Sequence, residues 1–202
     1  RFMYGGGFRP HEARKIRFGD VELFNKREDG KPSALIQIDT DTKTGKREMV
    51  MNGNTFKNLK YHLNKGIKIR NKQILEKNEK LLKGQRVHDF HNRSYKEPLP
   101  EVAPISKDDF VLMNPFLNGK RRVYHESYIR DWMNMILKEC DFKRRYTIYS
   151  LRSTHISYAL LNGQTVNQVS KNVGTSMEMI QQTYDGLSCL LYTSDAADDG
   201  LC

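Results

Sequence analysis

A chain of 202 residues is long enough for one domain with a real core and short for two. Its 34 lysines and arginines outnumber 24 aspartates and glutamates, giving a formal charge of +10 and a pI near 9.5, a balance that favours a polyanionic partner, nucleic acid or an anionic membrane surface. No apolar run approaches the roughly 18 residues of a spanning helix, no basic-then-apolar leader is present, and Cys140, Cys189 and Cys202 make neither a CxxC pair nor zinc spacing. These features argue against a membrane-spanning protein, a disulfide framework and a metal site, and the chain reads as cytoplasmic.

The chain opens in mid-pattern at RFMYGGGFRP, on Arg1 rather than methionine, and reads as a fragment lacking its N-terminal part. Three glycines release the backbone, and Pro10 at a favoured first-turn position starts a short helix from His11 to about Ile16, with Arg9 at the turn. VELF (21–24), ALIQID (34–39) and REMVM (47–51), separated by the turn signals EDGKPS and DTKTGK, predict a small antiparallel sheet. Helical patterning follows from Asn52 and Gly53 to about Leu63. A second charged helix or insertion, NKQILEKNEKLLKG (71–84), would set Ile74, Leu75, Leu81 and Leu82 on one stripe.

HNRSYKEPLPEVAPIS holds three of the six prolines and predicts a long loop. From Glu126 to Lys138 a helix carries Ile129, Trp132, Met133, Ile136 and Leu137 at core spacing. SLRSTHISYALLNG (150–163) predicts a helix capped at Ser150 and stopped at Gly163, and TVNQVSKNVG and SMEMIQQTY continue the helical pattern. The fold class is α+β, mainly α-helical, with a small antiparallel sheet of about three strands.

Singly, the chemically capable residues have ordinary readings. Arg152, in the first turns of its helix, suits a surface or an ion pair, although its two-pronged fork also suits a phosphate. Tyr184 suits half-buried packing, and Lys43 a solvated turn. Their order along the chain adds more. GGFRPHEARKIRFGDVEL places Arg9, Glu12, Asp20 and Val21 in one box, and DTKTGKREMVM offers Lys43 in a turn, with Lys46 as the fallback. Tyr149 stands three before Arg152, Gly174-Thr175 follows, and Tyr184 falls nine residues after Thr175. In this order the chain resembles the tyrosine recombinases, or phage integrases, over most of residues 1 to 187; the match is weakest from 65 to 125, where the chain carries an insertion.

The resemblance implies a tyrosine-recombinase catalytic domain over 1–188. It implies Arg9, Lys43, Tyr149, Arg152, Thr175 and Tyr184 as the catalytic set, with Glu12 in support and no metal or other cofactor. Two positions that are usually histidine in the family are Tyr149 and Thr175, which can donate hydrogen bonds but are not neutral-pH bases. His155, three after Arg152 on the same side of a helix, reads as packing or a DNA-facing contact. Lys120, Arg121, Arg122, Lys143, Arg144 and Arg145 read as contacts to the phosphate backbone, which set affinity rather than sequence choice.

The implied reaction is DNA strand cutting and rejoining through a 3′-phosphotyrosyl link on Tyr184, on double-stranded DNA, by a homo-tetramer on paired sites, with no membrane partner. Two other readings stand beside it: a catalytically impaired recombinase-like DNA-binding protein, suggested by the two missing histidines, and a type IB topoisomerase-like enzyme. Residues 189–202, CLLYTSDAADDGLC, contain no basic residue and resemble the translation of a sequencing-library adapter rather than native protein. On that reading only about four native residues follow Tyr184.

Overall fold

The computed structural model of the chain describes residues 1–24, 30–39, 45–88, 94–95, 97–114, 123–144 and 146–183. Helix α1 (Phe2–Gly6) ends at Gly7, whose left-handed backbone (φ 58°) turns the chain into α2 (Pro10–Lys15). Gly7 is required there twice: a side chain would strain at that φ, and a Cβ would lie 2.5 Å from the His155 ring. A short 3-10 turn over Phe18–Asp20 leads into the sheet.

Strands β1 (Val21–Phe24), β2 (Ser33–Ile38) and β3 (Arg47–Asn52) form an antiparallel meander in that order, with Ile36 opposite Met49 and Ile38 opposite Arg47. The period of two sends Ala34, Ile36 and Ile38 inward with Met49 and Met51, while Gln37 and Glu48 hydrogen-bond at 2.8 Å on the outer face. The expected sheet is therefore present, with boundaries within one residue.

Helix α3 (Gly53–Leu82) is a single 30-residue helix, and the break expected after Leu63 is absent. Asn52 caps it by accepting from the Asn54 amide at 2.9 Å. Of the stripe expected in its second half only Ile74 is buried; Leu75 and Leu82 are exposed. The reason is the partner surface, which is one extended segment rather than a core. Ile67 and Ile74 pack on Val102 and Leu99 from that segment. Asn71 exchanges two hydrogen bonds with the Val102 backbone (3.0 and 2.8 Å) and Asn78 two with Leu99 (2.9 and 2.7 Å). The proline-rich stretch, expected to be loop, also carries β5 (Ser94–Tyr95), paired with β4 (Val87–His88). The chain then returns to the first core: Phe18 and Gly19 donate to Asp109 and Lys107, and Val111 donates to Ile16.

Helix α4 (Glu126–Glu139) lies where expected but buries no residue fully. Ile129 and Met133 pack half-buried on the core, whereas Trp132 and Ile136 are exposed, and Trp132 instead packs at a tilt against Tyr124 and Tyr128. Helix α5 (Ile148–Leu161) begins earlier than expected. Its cap is Thr147, and Ser150, the expected cap, sits three residues in and accepts from the Thr147 amide at 3.0 Å. Helix α6 (Val166–Val173) stops at Gly174 (φ 67°), and residues 177–183 are again helical.

Besides the small cluster of Ile67, Ile74 and Val102, two hydrophobic clusters form among the described residues. One joins α1, α2, the sheet, the start of α3, Val111, Met113 and Ile148; the other joins Ile156 and Ala159 of α5 to Val169, Val173 and Ile180. Among the described residues no helix is long and apolar enough to cross a membrane.

Candidate active site

The buried positions of α5 are Ile148, Arg152, Ile156 and Ala159, one helical stripe in which an arginine occupies an apolar place. Arg152 is 3% exposed and sits where the two clusters meet. Its Nη1 donates to the Gly7 carbonyl at 2.7 Å and the Val173 carbonyl at 2.8 Å. Both acceptors lie at helix ends, where carbonyls are left over from the helical ladder. The isolated readings, a surface arginine or an ion pair, are both corrected: Arg152 is buried and held by backbone oxygens. Burial lowers its pKa to about 10, and the neighbouring Arg9 acts in the same direction. The guanidinium remains charged at neutral pH with its positive charge only partly compensated.

Arg9 arrives from the opposite end of the chain. It caps α2 from an extended backbone, and its Nη2 donates to the Gly174 carbonyl, 165 positions away, at 2.5 Å. Val173 and Gly174 therefore receive Arg152 and Arg9 on adjacent carbonyls. Glu12, one turn into α2, reaches back to the Arg9 amide at 3.0 Å and accepts from Arg9 Nη1 at 2.8 Å. Glu12 is fully buried. Burial alone would raise its pKa, but hydrogen bonds from Arg47 and Arg9 outweigh that and hold it at about 2. The site thus contains a carboxylate that stays ionised and guanidiniums that outnumber it.

Arg47, the third guanidinium, is absent from the set legible by motif. The signal for it lies in the strand period: in REMVM, Arg47 falls on the same face as the buried Met49 and Met51. Its two terminal nitrogens bind both Glu12 oxygens at 2.9 Å. Three arginines and one glutamate, drawn from α2, β3 and α5, close on the turn after α6. Such a net-cationic, poorly hydrated cluster is suited to an anion with several oxygens.

Tyr149 is half-exposed beside Pro10 and near enough to Arg152 to influence its charge. Thr175 follows the Gly174 turn, its amide donating to Ser170 at 3.2 Å and its carbonyl accepting from Ser170 Oγ at 2.7 Å. His155 packs edge-on to Tyr4, and burial lowers its pKa, which favours packing. Lys46, the fallback, is exposed and paired with Asp39 at 3.1 Å, outside the cluster. Lys143 and Arg144 are exposed beside α4. Lys43, Tyr184, Lys120, Arg121, Arg122, Arg145 and the segment 189–202 lie outside the described residues. No group of three or more histidines, cysteines, aspartates or glutamates among the described residues is placed to hold a metal.

No protein-family model matches the sequence, and no curated protein matches it. Solved structures do match the fold. XerH site-specific recombinase bound to a palindromic difH substrate, a post-cleavage complex, aligns with a TM-score of 0.57 and 15% identity over 96% of this chain and 43% of that one. The XerH pre-cleavage complex aligns at 0.54 and 15% over 89% and 40%. XerA recombinase aligns at 0.55 and 17% over 96% and 55%. The chain spans about half the length of these recombinases. At these TM-scores, over 96% of this chain, the chain has the fold of a tyrosine-recombinase catalytic domain.

Proposed function

We propose that this chain is the catalytic part of a site-specific recombinase that cuts and rejoins double-stranded DNA through Tyr184. The observation that carries the reading is the convergence of Arg9 and Arg152 on the adjacent carbonyls of Gly174 and Val173, in a fold shared with recombinases solved on DNA before and after cleavage. The spacing of Tyr184, nine residues after Thr175, supports it independently.

In this mechanism the Tyr184 hydroxyl gives up its proton to solvent as its oxygen attacks the scissile phosphorus, the bond to the 5′-oxygen breaks, and a 3′-phosphotyrosyl ester forms. The phosphorane between these states carries added negative charge on its non-bridging oxygens, which Arg9 and Arg152 hold. Arg152 has spent Nη1 on the fold; Nη2 and Nε take no partner among the described residues. Lys43 gives the leaving 5′-oxygen its proton. The tyrosyl ester conserves the energy of the broken phosphodiester, so a 5′-hydroxyl from a second strand reverses the step without a nucleotide cofactor. Tyr149 and Thr175 add neutral hydrogen bonds. In the complete protein, a homo-tetramer on paired sites brings the exchanging strands together.

The test uses the complete reading frame and a DNA duplex nicked beside the cleavage site, so that the released fragment diffuses away and the covalent intermediate accumulates. The expected result is a protein–DNA adduct that disappears in Tyr184→Phe. Specific binding without adduct would favour the impaired DNA-binding reading, which the absence of histidine at 149 and 175 supports. Relaxation of supercoiled DNA without paired sites would favour the topoisomerase reading.

A further inference from the structure

The inward face of β3 carries Arg47, Met49 and Met51, and two of the three are what a strand packed on a core demands. Arg47 departs from that pattern at a cost. Its side chain is 9% exposed and its Nε is buried without a partner. Its guanidinium lies so close to the turn after α6 that a Cβ on Gly174 would stand 2.6 Å from its Cζ. Packing alone would be served better by a third methionine.

The hydrogen bonds show what the arginine does instead. A carboxylate fits one guanidinium fork in two parallel bonds, and Glu12 gives that fork to Arg47, Nη1 to Oε1 and Nη2 to Oε2. Arg9 donates a single side-chain bond, from Nη1 to Oε1, and its Nη2 donates to the Gly174 carbonyl. We infer that Arg47 is a positioning residue of the active site: by occupying the Glu12 fork it keeps Arg9 from being fully neutralised, and it ties strand β3 to the arginine cluster. Without Arg47, Glu12 is free to close on Arg9 in the same two-bond geometry and withdraw a cation from the phosphate. The inference rests on the phosphodiester-cleaving reading above and adds to it a residue which that reading does not require.

The test measures single-turnover adduct formation on the nicked duplex with wild type, Arg47→Gln, Arg47→Lys and the double variant Arg47→Gln/Glu12→Gln, with folding checked by thermal melting. Arg47→Gln should slow cleavage on the order of 10²-fold, as misplacement of a reacting group does, while DNA affinity changes little. Arg47→Lys, which keeps the charge without the fork, should fall between. Neutralising Glu12 in the double variant should recover about 10-fold of the loss, since an amide does not clamp Arg9. An Arg47→Gln rate equal to wild type, or a double variant no faster than the single, overturns the inference; the second result is what a merely structural arginine gives. Orthovanadate, a mimic of the phosphorane, titrated against melting temperature gives the same ranking without strand cleavage. If wild type forms no adduct, the recombinase reading fails, and the vanadate ranking still decides the role of Arg47.

Discussion

Glu12 is a fully buried carboxylate kept ionised by its arginines, and its titration sets an acid limit on the fold. Its pKa is about 2 in the folded chain against 4.5 ordinarily, so its contribution is complete above about pH 4.5 and disappears as pH falls through 2. That contribution is on the order of 3 kcal/mol. Equilibrium denaturation between pH 5 and 2 should show the loss in wild type, and Glu12→Gln should be less stable at neutral pH and flatter across the acid range. Arg152 is the complementary case. Its charge is disfavoured by burial at every pH below about 10, a cost that an oxyanion offsets. Arg152→Lys keeps a charge but cannot donate to Gly7 and Val173 while also presenting a flat fork outward, so adduct formation should drop by roughly 10²- to 10³-fold, measured as single-turnover rate.

The long helix α3 shows how an element takes its burial from whatever faces it. Asn71 and Asn78, two turns apart, each form a closed pair of hydrogen bonds with an extended segment, at Val102 and Leu99, in the manner of a strand neighbour. Asn78→Ala removes two part-buried bonds and should cost about 1–2 kcal/mol, with faster hydrogen exchange at the Leu99 amide as the local readout. Leu82→Ser, on the same helix but exposed, should change stability by no more than about 0.5 kcal/mol. The sequence pattern could not separate these cases. Leu75 and Leu82 carry the same apolar character as Ile74, and only the position of the segment around Leu99 and Val102 selects Ile74 for burial. Helix α4 misled in the same way, since Trp132 and Ile136 have core spacing but face no core.

At the scale of the described molecule, Arg9, Arg47 and Arg152 gather between two apolar clusters, while other basic residues, Lys143 and Arg144 among them, lie exposed. That division separates chemistry from affinity. Lys143 and Arg144 are exposed, so changing both to alanine should weaken DNA binding at every sequence and reduce the slope of log affinity against log salt by about 2, read from fluorescence anisotropy titrations at several salt concentrations. An unchanged slope would remove these two residues from the interface. The sheet and the presence of the helices were legible in the chain, because strand alternation and helical periodicity are properties that neighbours in sequence determine; the continuity of α3 past Leu63 and the cap of α5 were not, and Arg9, Glu12 and Arg152 stood out only as an ordered set. Arg47 was half legible: its inward register is local, but its value as a cation depends on Glu12 lying across from it. The convergence of α2, β3, α5 and the Gly174 turn is decided only in three dimensions, because burial, shared hydrogen bonds and the pKa of Glu12 arise from groups as far apart as 165 positions along the chain.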